Sequence, residues 1–177
     1  MTDKVNNNDS KKEHSGKKRS RKDKILTAVI VSLVFLIIGH NVISYYGASI
    51  FLPGREFSEI TGIDPSNNRN TRIDISTGKT IVNFWATWCN GCLKEVHNLS
   101  NISRNVRVVG VLKKPFNPRV FSSLRLSHTN IIADDELFEE MHVSFLPLTV
   151  FVVDGVIKKV HTGPVSENTI LDWLKDD

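Results

Sequence analysis

Residues 82–92 read VNFWATWCNGC and hold both cysteines of this 177-residue chain, Cys89 and Cys92. An apolar run over Thr80–Ala86 reads as a buried strand. Leu93, Val96, Leu99 and Ile102 then follow at helical spacing. The cysteines therefore fall where a strand turns into a helix, Cys89 at the helix N-terminus and Cys92 one turn inside. At about 100° per residue the two lie roughly 60° apart around the axis, within reach of a bridge. Unpaired amides and the helix dipole at that end favour a thiolate. Lowering a thiol pKa from about 8.5 to about 7 raises its ionised fraction at pH 7 from roughly 3% to roughly half. Cys89 is thus the expected nucleophile. Cys92, sharing a face with Val96, is the expected resolving thiol.

Working outward, VRVVGVL (106–112) is a second strand, and Asn117 caps a helix with Pro118 at its first position and Val120, Phe121 and Leu124 facing inward. NIIAD is a short strand, and a helix with Leu137, Phe138 and Met141 follows Asp134. LTVFVV and VIKKVH flank Asp154-Gly155, a strong hairpin signal, and Ser166 caps a last helix holding Ile170, Leu171 and Leu174. Strands joined by helices and closed by an antiparallel hairpin predict an α/β fold, a mixed sheet covered on both faces. Upstream, turn formers at Pro65–Asn68 and Ser76–Gly78 predict a linker followed by a small hairpin.

The net charge of +4 describes a tail more than a domain. Nine basic residues stand against four acidic ones in Met1–Lys24, and the remainder is close to neutral. This tail lacks aromatic interleaving, so a nucleic-acid partner is not expected. The apolar segment behind it explains the tail better. Ile25–Leu52 contains no Asp, Glu, Lys or Arg, and a helix over Ile25–Tyr46 would be about 33 Å long, matching a hydrocarbon core of about 30 Å. Tyr45 and Tyr46 fall where an interfacial aromatic pair belongs, and the basic excess places the N-terminus on the cytoplasmic side. His40 and Asn41 fit near the outer headgroups. The rival is a cleaved signal peptide ending near Gly47 and Ser49. The expected organisation is a basic disordered tail (1–24), a transmembrane signal anchor (25–46), a linker (47–70) and a catalytic domain (71–177). That domain lies outside the cytoplasm, where a close thiol pair reads as a working pair.

A metal site is the competing use of two thiols. Zinc wants four ligands, and His97 lies about 140° around the helix from Cys92. The best version is a copper-handling module using Cys89, Cys92 and Met141 or His142. An inert staple is disfavoured because so short a loop removes little chain entropy.

NFWATWCNGC followed by LKE resembles the active-site segment of the TlpA/ResA/DsbE-type thioredoxin-like proteins, and SFLPLTVFVVDGVI (144–157) is similar to that family's second motif. The resemblance covers roughly Gly78 to the C-terminus. It implies a thioredoxin-like mixed sheet flanked by helices, preceded by the transmembrane helix. It implies a single-pass inner-membrane protein with its catalytic domain on the periplasmic or extracellular side, and an oxidoreductase that exchanges the Cys89–Cys92 disulfide with protein substrates. It further implies work as a reductant in cytochrome c maturation or in protection from metal or oxidative stress, recharged by a membrane electron donor or acceptor protein. Pro147 inherits the family's cis proline beside the disulfide, with Leu146 and Trp88 on the substrate-binding surface. Glu95 matches a glutamate of the branch, a candidate for proton transfer. No metal and no cofactor beyond the redox-active disulfide are implied. The chain departs from the pattern in Asn90-Gly91 between the cysteines, in His97 where a helix-kinking proline is usual, and in Asn83 where thioredoxin itself has a buried acid.

Overall fold

The computed structural model describes residues 21–176, so the basic tail falls outside the described residues except for its last four. Contacts divide the chain into two units, one ending at Gly39 and one running from His40. The first contributes an exposed apolar helical segment, part of α1 (Arg21–Phe51), which is long and apolar enough to cross a membrane. The second holds the sheet.

That sheet has seven strands: β1 (Glu59–Ile63), β2 (Asn70–Asp74), β3 (Lys79–Trp85), β4 (Arg107–Leu112), β5 (Thr129–Ile132), β6 (Leu148–Val153) and β7 (Val156–Thr162). Their spatial order is β2-β1-β5-β4-β3-β6-β7. β3, β4 and β5 run parallel, β6 and β7 return antiparallel beyond β3, and β1 and β2 close the other side as an antiparallel hairpin. The mixed sheet flanked by helices is thus as expected. The hairpin turn at Asp154 and Gly155 takes positive φ at both residues (48° and 73°), which is why Asp-Gly stands there.

Central β3 is buried on both faces and alternates between two cores. Val82 and Phe84 face one with Phe138 of α4 (Asp135–Glu140), while Ile81 faces the other with Leu99 and Ile102 of α2 (Asn90–Ile102) and Ile170 of α5 (Glu167–Lys175). Asn117 and Ser166 cap α3 (Pro118–Leu124) and α5 as the sequence predicts, their side chains accepting from Val120 N and Thr169 N. In α3 no residue is fully buried. Phe121 and Leu124 lie half-buried over Trp85 and Cys92, because a two-turn helix at the sheet's end covers that cluster without being covered itself.

The segment 47–70, read above as a linker, is different. α1 continues past Tyr46 to Phe51, Gly47 and Ala48 are buried in it, and Leu52 is fully buried in the main core. The apolar spacing of Ala48 and Leu52, one turn apart, continues into Phe57 and Ile60 of the same core. Backbone bonds then tie the chain to β7 and its turn. Gly54 N donates to Ile157 O (2.7 Å), Ile157 N to Arg55 O (2.9 Å) and Phe57 N to Gly155 O (2.7 Å). β1 itself lies within this stretch.

Gly110 on β4 is a close approach. A Cβ there would collide with the Asn130 carboxamide and the Trp85 indole, and Asn130 Oδ1 accepts the Trp85 Nε1 hydrogen (3.2 Å). Gly110→Ala is expected to lower unfolding free energy by about 1–3 kcal/mol, the usual cost of overpacking. Urea denaturation checks this, and an unchanged midpoint would show that the carboxamide moves aside freely.

Candidate active site

Trp85 ends β3, and its carbonyl is held by Lys113 N (2.8 Å). The chain then turns through Ala86–Trp88, with Cys89 N donating to Ala86 O (3.1 Å). Cys89 is the N-cap of α2. Its carbonyl accepts from Cys92 N (3.0 Å) and Leu93 N (3.3 Å), and its Sγ also accepts from Cys92 N (3.2 Å). This is the amide-rich terminus at which a thiolate on Cys89 would be favoured. The two cysteines are joined as a disulfide with S–S 2.07 Å and Cα–Cα 5.3 Å. Cys89 is half-buried and Cys92 fully buried beside Val96, so a partner's sulfur reaches Cys89 first. Trp88, just before it, is 53% exposed.

Two cis peptides border this end of the sheet, Lys114–Pro115 and Leu146–Pro147. Pro147 is buried, and its carbonyl accepts from Gly163 N (2.8 Å). Leu146 is half-buried and packs in the same cluster as Cys89, Cys92 and Trp85. The structure therefore brings Trp88, Leu146 and the cysteines together at one end of the sheet. Thr87 fixes the neighbouring loop, its Oγ1 accepting from Asn117 N (3.0 Å).

Glu95 lies one turn beyond Cys92 and is only 2% exposed. Asn83 Nδ2 donates to Thr149 Oγ1 (2.9 Å) and to Glu95 Oε1 (3.2 Å), and Thr149 Oγ1 donates to Glu95 Oε1 (2.8 Å). Glu95 Oε2 and Asn83 Oδ1 are buried without a hydrogen bond. Burial pushes the Glu95 carboxyl up to about 7, against the pull of the Thr149 hydroxyl and the Val165 backbone. A buried acid thus lies one turn along α2 from Cys92, bonded to the Asn83 that occupies the β3 position where thioredoxin has its own acid. Sequence reasoning named Glu95 and Asn83 but missed Thr149. The available signal was a polar residue within each of two buried apolar strands, Asn83 in β3 and Thr149 in β6, since such groups require a partner.

The copper alternative is not assembled. Met141 is buried in the core on the far side of the sheet from the cysteine cluster, and the exposed His142 stacks on Phe51 with ring centroids 5.5 Å apart. Among the described residues no three His, Cys, Asp or Glu side chains form a group suited to a metal ion. His97 is exposed.

Comparison with known proteins agrees with this geometry. A family model described as Thioredoxin matches residues 63–176. The thiol-disulfide oxidoreductase ResA of Bacillus subtilis is 24% identical over 169 residues, covering 89% of this chain and 94% of that protein. The thiol:disulfide interchange protein DsbE of Allochromatium vinosum is 32% identical over 123 residues, 64% of this chain and 66% of that one. Among solved structures, the exposed lipoprotein thioredoxin Etrx1 of Streptococcus pneumoniae superposes with a TM-score of 0.59 at 21% identity, covering 67% of this chain and 99% of that one. The chain belongs to the thioredoxin family, in its branch of ResA- and DsbE-type thiol-disulfide oxidoreductases.

Proposed function

We propose that this chain is a membrane-anchored, extracytoplasmic oxidoreductase that reduces disulfides in protein substrates with its Cys89–Cys92 pair. One observation carries the reading: a half-buried cysteine capping a helix, disulfide-bonded to a fully buried cysteine one turn inside. In the reduced protein, Cys89 thiolate attacks a substrate disulfide, expelling one substrate sulfur as a thiolate and forming a mixed disulfide. Cys92 then attacks Cys89 Sγ and expels the second. Two electrons pass to the substrate and the pair becomes a disulfide. Glu95, buried one turn along α2 from Cys92 and poised near neutrality, takes the Cys92 proton as its sulfur becomes nucleophilic. Leu146 and Pro147 border the groove in which a substrate strand would lie, and Trp88 forms its outer rim.

The anchor is α1, with the basic N-terminal side cytoplasmic and the domain periplasmic or extracellular. A membrane electron-donor protein would restore the dithiol, and the service performed would be cytochrome c maturation or protection of stressed proteins, as resemblance to ResA and DsbE supports. Equilibration with glutathione tests the direction. A reductant should give a potential near that of thioredoxin, about −270 mV, whereas a value near about −120 mV would make the protein an oxidant.

A further inference from the structure

Thr149 is fully buried in β6, directly opposite Asn83 of β3, on a strand that is otherwise apolar. Valine has the same shape and no hydroxyl to desolvate, so strand packing alone does not account for threonine here. Its hydrogen bonds do. The Asn83 amide nitrogen can only donate, and it donates to Thr149 Oγ1 (2.9 Å), which leaves the single hydroxyl hydrogen for Glu95 Oε1 (2.8 Å). Asn83 Nδ2 also reaches that oxygen, at 3.2 Å. The influences on the Glu95 carboxyl are burial, which opposes its charge, and then the Thr149 hydroxyl and the Val165 backbone, which favour it. Thr149 is therefore the leading side-chain support of the ionised carboxylate.

The surrounding elements offer little else that titrates. β6 has no titratable residue, and Lys79 of β3 is bonded to Leu174 O (2.9 Å). The charged side chains of α2 and α5 other than Glu95 are exposed. Lys159 and His161 of β7 share the Thr149 face of the sheet through their pairing with Phe151 and Thr149. Lys159 is bonded to Asp176 (2.8 Å), and His161 Nε2 lies 3.3 Å from Pro164 O. Cys92 is held in the disulfide when the pair is oxidised.

We propose that Thr149 is a positioning residue for proton transfer between Cys92 and Glu95: its hydroxyl, aligned by Asn83, holds Glu95 as a carboxylate ready to accept when the mixed disulfide is resolved. The proton passes from Cys92 Sγ to the carboxylate while that sulfur bonds to Cys89 Sγ. The Cys89–substrate bond breaks, and its electron pair leaves on the substrate sulfur as a thiolate. The inference rests on the oxidoreductase reading, with Glu95 as the acceptor.

Two measurements on the full chain in detergent micelles test it. In the oxidised protein Cys92 does not titrate, so the side-chain carboxyl resonance of isotope-labelled glutamate, assigned with Glu95→Gln, follows Glu95 itself. The wild type should titrate at about pH 7. Thr149→Val should titrate about one to two pH units higher, the loss of one hydrogen bond to a charged group, while Thr149→Ser, which keeps the hydroxyl, stays with the wild type. A valine variant that titrates with the wild type, or a serine variant that follows the valine, overturns the proposal. In the reduced protein, resolution of the mixed disulfide with a cystine peptide should slow at least about fivefold at pH 7 in Thr149→Val, through the smaller carboxylate fraction. The difference should close as pH rises past the new titration point. A loss by the same factor at every pH marks packing damage and overturns the proposal. A wild-type chain that reduces no cystine peptide overturns the oxidoreductase reading, and the proposal with it, by a result that no carboxyl titration gives.

Discussion

Cys92→Ser is expected to accumulate covalent complexes with substrate proteins, while Cys89→Ser accumulates almost none. The asymmetry follows from burial. Cys89 is half-buried at the helix cap and Cys92 is sealed beneath it, so only Cys89 meets an incoming disulfide. With Cys92 in place, the mixed disulfide is attacked from one turn away, at an effective thiol concentration of order 1 M or more. Without it, external thiol at about a millimolar must do the same work, and release slows about a thousandfold. Non-reducing electrophoresis with mass spectrometry reads the trapped species. Comparable trapping by the two variants would remove the assignment of attacking and resolving roles.

The second large effect lies in the pH dependence of stability, where two buried groups oppose one another. Glu95 titrates at about 7 in the folded chain against 4.5 in the unfolded one, through burial. The native state holds that proton longer, so the Glu95 contribution to stability falls as pH rises from about 4.5 to about 7. His128, 7% exposed and with neither ring nitrogen bonded, is pushed down to about 4 from 6.5 by burial. The unfolded state then binds the extra proton, so its contribution rises over about pH 4 to 6.5. Each amounts to about 3 kcal/mol across its window, and the two nearly cancel between about pH 4.5 and 6.5. Glu95→Gln should unmask the histidine, giving stability that climbs with pH over that range. His128→Leu should unmask the glutamate, giving stability that falls up to about pH 7. Urea unfolding at a series of pH values checks both. A Glu95→Gln curve parallel to that of the wild type would mean that the carboxyl titrates normally. Glu95→Gln should also remove an inflection near pH 7 from the exchange rate.

Local chemistry made much of this protein readable. Asp154-Gly155, Asn117 before Pro118, and Ser166 each announce a turn or cap through their own side chains, and each stands where expected. The strand-to-helix passage with two cysteines was equally plain, since a continuous apolar run ending at Ala86 gives way to helical spacing from Leu93. What escaped depends on partners distant in sequence. Thr149 reaches Glu95 only because β6 pairs with β3 in the register that sets Asn83 opposite Thr149. The end of α1 escaped for a related reason. Ala48 and Leu52 read as the tail of an apolar run, and their burial depends on Phe57, Ile60 and Met141 arriving from elsewhere.

The placement of β3 between β4 and β6 bears on the order in which the chain assembles. One edge of β3 stays unpaired until β6 emerges, about sixty residues later, which at usual synthesis rates is an interval of roughly 3 to 12 s. Throughout it Cys92 has no finished core to shelter it, and any ambient oxidant meets both sulfurs. In a chain richer in cysteine this would invite scrambled bridges. Here the sequence holds only Cys89 and Cys92, so a single intramolecular bridge is available, and premature oxidation yields the same connectivity as the finished protein.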